Sequence, residues 1–161
     1  MQLTVQQFQE KIANHDYQQQ QKEFPVPSKI TAQTLTPVAQ ALVQGLEDDL
    51  DRGYLSEVEA LMTGLPFTCS FLLQTGIINL PLADSAKTRH FFTPEETVTV
   101  TANLVTICPN LNASDLRIDQ VVGDATSIAE ATTTIATMMA QNLEQAQVNY
   151  AAQAQEVLDA D

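Results

Sequence analysis

Nine residues near the C-terminal end, Ile128, Ala131, Ile135, Met139, Leu143, Ala146, Tyr150, Ala154 and Val157, recur on one period. They span 29 residues in eight steps, a mean of about 3.6, which is the repeat of a straight α-helix and not of a supercoiled seam. Ser127-Ile128-Ala129-Glu130 fits a capping box at the start of that helix. The β-branched run Thr132-Thr133-Thr134-Ile135 opposes helix by a few tenths of a kcal/mol per residue, roughly; the surrounding Ala, Gln, Met and Leu override it. About 30 residues at ~1.5 Å rise make a helix roughly 45 Å long. That exceeds the width of a small body, so the far half is expected to project or to pack on another subunit.

A different period governs the middle of the chain. From Glu96 to Ile107, Val98, Val100, Ala102 and Leu104 alternate with Thr97, Thr99, Thr101 and Asn103, the pattern of a strand with one face on a core and one toward water. Phe67, Cys69, Phe71 and Leu73 alternate in the same way. Thr75-Gly76 is read as a turn before Ile77-Ile78-Asn79-Leu80, followed by a loop over Pro81–Lys87 and then Arg89-His90-Phe91-Phe92. Thr93-Pro94-Glu95-Glu96 turns into the long strand, and Leu116 and Ile118 predict a further short one ending near Gly123-Asp124. Without helical crossovers between them, these strands favour an antiparallel sheet.

The N-terminal third reads as helical. Thr4-Val5-Gln6-Gln7 fits a capping box, with Val5, Phe8 and Ile12 on one face. The stripe is lost over 17–22, and Phe24-Pro25-Val26-Pro27 is extended because each proline restricts its predecessor. Residues 1–24 are either an arm on a proline-containing linker or an ordinary first helix. Thr36-Pro37 predicts a helix start, and the stripe Leu35, Val38, Leu42, Leu46 and Leu50 ends near Gly53. Ser56-Glu57-Val58-Glu59 predicts a further helix, with Val58, Leu61, Met62 and Leu65 on one face and Pro66 as its stop.

Between those two predicted helices lies EDDLDRGYLSEVE, which resembles an EF-hand calcium loop over about 13 residues. The resemblance places Gly53 at the sharp turn, Leu55 at the apolar position, Glu59 as the bidentate carboxylate and Asp48 at the first ligand position. Leu50 and Arg52 then occupy positions that need oxygen ligands, and Asp49 and Asp51 are displaced by one residue. Helix geometry accounts for the same residues: an Asp48–Arg52 pair, a glycine cap and the Ser56 capping box. Specific calcium binding is therefore not expected.

The net charge of −13 is unevenly placed. Residues 45–60 hold six acids against Arg52, and from 118 onward there are seven acids and no Lys or Arg. Phosphate binding needs clustered cations, so neither nucleic acid nor an anionic membrane is expected as a partner. No segment approaches a membrane-spanning apolar run, and MQLTVQQFQEK lacks a signal-peptide pattern. A cytoplasmic protein is the expectation, which leaves the glycosylation sequon at Asn112-Ala113-Ser114 without weight.

Catalytic signals are sparse. GxSxG, GxGxxG, P-loop and HExxH patterns are absent. Cys69, His90 and Cys108 offer nucleophile or zinc chemistry if their strands are neighbours, with Glu95 and Glu96 as nearby acids. The competing reading, that both cysteines pack as small hydrophobes, fits their apolar surroundings better. His15 sits among polar residues, and Met138-Met139 suits a core at this spacing. No catalytic, cofactor-binding or metal residue is assigned, and no cofactor.

The chain reads as a single α+β domain over 1–161: N-terminal helices, a small antiparallel sheet and a long C-terminal helix. The leading functional expectation is a non-enzymatic interaction protein, a homo-oligomer using its sheet and long helix as contact surfaces, with a protein partner as a further option. The alternatives are a small-molecule-binding protein or enzyme with a pocket between sheet and long helix, and a chaperone-like binder of unfolded chains.

Overall fold

A computed structural model describes residues 1–77, 80–81, 95–109, 111 and 116–159. The fold is α+β. In chain order the elements are β1 (Gln2–Thr4), α1 (Val5–Ala13), β2 (Tyr17–Pro25), α2 (Ala32–Asp51), β3 (Leu55–Thr63), β4 (Cys69–Ile77), β5 (Leu80–Pro81), β6 (Thr97–Cys108) and β7 (Leu116–Asp124). A 3-10 helix over Ala125–Ala131 then leads into α3 (Thr132–Asp159). Among the described residues the strands form one sheet in the order β1-β6-β4-β3-β2, with β7 also on β6 and β5 on the end of β4. All pairs are antiparallel except β2 with β3.

That parallel pair is the largest departure from the sequence reading. Residues 17–25 pair with 55–63 along their full length, and α2 makes the crossover between them, the connection a parallel pair requires. The segment 1–24 is thus helical only over Val5–Ala13. It is tied at one end by β1 on β6 and at the other by β2 on β3. The Thr4 capping box forms as expected, and Val5 and Phe8 are buried.

The helix predicted from Ser56 is a strand. Val58, Leu61 and Met62 satisfy a helical period, but Ser56, Val58, Ala60 and Met62 also satisfy a period of two. These four are buried while Glu57, Glu59 and Leu61 are only half-buried. Neighbouring strands on both sides decide between the two periods, because they satisfy β3's backbone donors and acceptors.

Helix α2 starts one turn earlier than Thr36-Pro37 predicts. Thr31 is its cap, in a reciprocal box with Thr34, and Pro37 lies inside the helix. The proline removes one backbone donor near the helix start, where the Thr36 hydroxyl also bonds the Ala32 carbonyl at 2.8 Å. The helix ends as its stripe does: Arg52 is the C-cap, and Gly53 takes φ +85°, a left-handed value that suits glycine.

Strand β4 runs straight through Thr75-Gly76, where a turn was expected, and both of its faces are buried. The strand over 97–108 and the one ending at Asp124 form where expected, but β6 faces water on alternate positions only near its start: Asn103, expected on the solvent face, is buried. Part of the expected Pro81–Lys87 loop, the segment Arg89–Phe92, Thr93-Pro94 and the sequon at Asn112 lie outside the described residues.

Helices α2 and α3 pack against each other on one side of the sheet. The main core lies there, from Leu35, Leu42 and Leu46 of α2 through Val58, Phe71, Leu73 and Leu104 of the sheet to Ile135, Met139 and Leu143 of α3. A smaller core gathers Val5 and Phe8 of α1 with Leu55, Ile77, Val98 and Val100. Asp124, and not Ser127, caps the 3-10 helix that precedes α3. No helix among the described residues is long and apolar enough to cross a membrane.

Candidate functional site

The C-terminal series divides in two. Ile128, Ile135, Met139, Leu143 and Ala146 are buried, and Tyr150 is half-buried with its ring 5.3 Å from that of Phe67. Beyond that contact the stripe continues, but none of the described residues covers it. Ala154 is exposed, and Val157 and Leu158 are 63% and 68% exposed. Val148, on another side of the same segment, is 62% exposed. The remaining exposed large hydrophobic residue among those described is Val121 of the edge strand β7.

The near half of α3 leaves little space beneath it. Ile135, Met139 and Leu143 have no exposed surface. Asn142 between them donates to the Thr106 hydroxyl at 2.9 Å and to Gln120 at 2.8 Å, satisfying an amide that burial would otherwise penalise. A ligand pocket between sheet and long helix would have to displace these side chains.

A second buried polar network fixes α2. Asp49 is 3% exposed and accepts from Ser56 at 2.6 Å and from Gln20 at 2.8 Å. The Thr75 hydroxyl accepts from the Ser56 backbone nitrogen and donates to its carbonyl, both at 3.2 Å. Helix α2 is thereby bonded to β2 and β3, and through Ser56 to β4. Nearby, Gly45 meets β3 so closely that a Cβ there would lie 3.1 Å from Val58. The serine and carboxylate are sealed from solvent, so the network holds structure together and offers no nucleophile.

The Asp48–Glu59 stretch is a helix end, a glycine turn and a strand. The second helix of a helix–loop–helix calcium site is therefore missing. Glu59 accepts from Gln21 at 3.3 Å across the β2–β3 pair, while Asp49 points into the core. Groups of three or more metal-ligating side chains are absent among the described residues.

Cys69 and Cys108 do meet. They lie on the paired strands β4 and β6 with their sulfurs 2.9 Å apart, and both are buried. Their hydrogen bond and their burial push the Cys69 thiol up. The same bond, now favouring the ionised form, pulls Cys108 down. His90 lies outside the described residues. Glu95 and Glu96 are exposed at the opposite end of β6, and Glu96 uses its carbonyl to receive the Val5 N–H. Twelve residues of strand separate Glu96 from Cys108, about 40 Å at ~3.3 Å per residue. The acids and thiols do not form one site. His15 is exposed in the α1–β2 turn.

An open acidic cleft of about 310 Å3 lies where Glu47, Leu50 and Asp51 of α2 face Met1, Ala125 and Thr126. Asp124 beside it accepts from the Met1 ammonium at 2.8 Å and from Thr126, which holds its carboxyl down to about 2. On the β2–β3 side, burial and then the hydrogen bond to Glu57 push the Tyr17 phenol up.

Sequence reasoning assigned none of the buried polar groups. The signal for Asp49 was present: it falls three residues after Leu46 and seven after Leu42, on the apolar stripe of α2, where an acid needs a partner. Asn142 sits between Met139 and Leu143 in the same way. Comparison with protein-family models, with curated proteins and with solved structures finds no match for this chain.

Proposed function

We propose that the chain is a non-enzymatic interaction protein that pairs with a second copy of itself through the far half of α3. One observation carries this reading: the apolar stripe of α3 continues past Tyr150 to Val157, where nothing described packs on it. A solvated helix has no need of such a stripe, because a short unsupported helix in water gains little from exposed apolar groups. Helix pairing would bury Ala154, Val157 and Leu158, and the edge of β7 at Val121, unpaired among the described residues, offers a second apolar point.

The charge of this segment sets the salt dependence. Glu144, Glu156 and Asp159 lie on α3, which carries no Lys or Arg. Two copies brought together repel, so screening by salt should strengthen self-association. A basic partner would show the opposite dependence.

Light scattering across micromolar concentrations tests the proposal. The expected wild-type mass is twice that of one chain, with association tightening as salt rises. Replacing Val157 and Leu158 by serine should return a single-chain mass with α2 and the sheet intact by hydrogen exchange. A wild-type chain that stays monomeric throughout overturns the proposal, as does a dimer that the double substitution leaves unchanged.

A further inference from the structure

The structure assigns Cys69 and Cys108 as a redox site, a dithiol that a small peroxide converts to a disulfide joining the two central strands. Four observations support it. The two cysteines occupy facing positions, one step beyond the Ser70–Ile107 pair. Their sulfurs are 2.9 Å apart, closer than two unbonded sulfurs ordinarily pack, and cross-strand neighbours meet the Cα separation that a disulfide needs. Both side chains are fully buried, so an oxidant reaches them only through local opening of the fold, which favours a small peroxide over a bulky disulfide. Chain separation adds the fourth: the two residues are 39 apart, so the bond would close a long loop of the unfolded chain.

The hydrogen bond also orders the chemistry. Cys69 holds its proton while Cys108 ionises more readily, and the thiolate is the reactive form. The Cys108 sulfur attacks one peroxide oxygen: an S–O bond forms, the O–O bond breaks, and the departing hydroxide takes a proton to become water. The Cys69 sulfur then attacks the Cys108 sulfenic sulfur. An S–S bond forms, the S–O bond breaks, and the leaving hydroxide departs as water with the Cys69 proton. Two thiols lose two electrons and two protons, and one peroxide becomes two waters.

The bond would sit beside the contact that ends the buried part of α3, because Phe67, two residues before Cys69, is the ring that meets Tyr150. This inference is independent of self-association, since one chain supplies both sulfurs.

The test uses the full chain, first reduced and then exposed to hydrogen peroxide. Intact mass should fall by two hydrogens, and thiols alkylated after denaturation should drop from two to none. The melting temperature should rise by roughly 5–10 °C, and dithiothreitol should reverse all three changes. In Cys69→Ser, peroxide treatment followed by denaturation in the presence of dimedone should trap a sulfenic acid on Cys108. Glutathione disulfide, which is larger, should react many-fold more slowly than peroxide. Thiols that stay alkylatable, disulfide-linked dimers, or accumulation of sulfinic acid in the wild-type chain would each overturn the assignment. The wild-type measurements decide it even if the serine variant fails to fold.

Discussion

Helices α2 and α3 lie on the same side of the sheet and bury stripes of the same kind, yet they end in opposite ways. In α2 the last buried positions, Gly45, Leu46 and Asp49, are followed at once by the Arg52 cap and Gly53. The end of its burial and the end of the helix coincide. In α3 the last buried position is Ala146, and 13 more helical residues follow. A helix whose stripe stops with the body is explained by the body. One whose stripe runs on has a stretch that the described residues leave uncovered, and that contrast locates the proposed contact.

The largest effects should be the same in the two helices, because their buried parts are equivalent. Leu46→Ala in α2 and Leu143→Ala in α3 each remove a side chain with no exposed surface. Each is expected to cost ~2–5 kcal/mol through lost burial and the cavity left behind. Chemical denaturation of both variants checks this. A near-neutral Leu143→Ala would break the comparison at its root, by showing that α3 is not part of the core.

A smaller effect separates the helices by how they are fixed. Asp49→Ala leaves the Ser56 hydroxyl and the Gln20 amide without their acceptor, and unpaired buried polar groups cost about 1–3 kcal/mol. Denaturant titration gives the magnitude, and hydrogen exchange the location: α2 and β2 should lose protection before α3 does. Equal loss in both helices would mean that the Asp49 network is not specific to α2.

These elements also differ in how far the sequence revealed them. The α3 stripe and the Val98–Leu104 alternation are local patterns, and both were readable residue by residue. So was the end of α2 at Gly53. The fate of 55–63 was not, because Val58 and Met62 fit either period and the choice was made by strands β2 and β4. The polar run at 17–22 reads as the loss of a helix, and its strand pairing depends on a partner 38 residues away. Thr36-Pro37 imitated a helix start that Thr31 provides. The cysteine pair and the Asp49 network are contacts between distant segments. The apolar surroundings of both cysteines were legible, whereas Ser56 reads as a helix cap and Asp49 as a displaced loop carboxylate; the β4–β6 register brings Cys69 to Cys108, and the packing of α2 on β3 brings Asp49 to Ser56.

The smallest predicted effect tests the comparison where it is most exposed. Ala39 of α2 is fully buried, whereas Ala151 of α3 is exposed in the projecting half. Glycine in a helix interior costs roughly 1 kcal/mol relative to alanine. Ala39→Gly should show at least that much in denaturant titration, because α2 unfolds with the core. Ala151→Gly should cost under about 0.5 kcal/mol in a dilute sample, because the far half can fray without disturbing the body. Faster hydrogen exchange confined to 147–159 would be its main trace. At concentrations where two copies pair, the same substitution acts on a helix that is held in place, and its cost should approach that of an ordered helix interior. A penalty for Ala151→Gly that grows with protein concentration, beside a constant one for Ala39→Gly, marks the far half of α3 as a surface completed by a second chain.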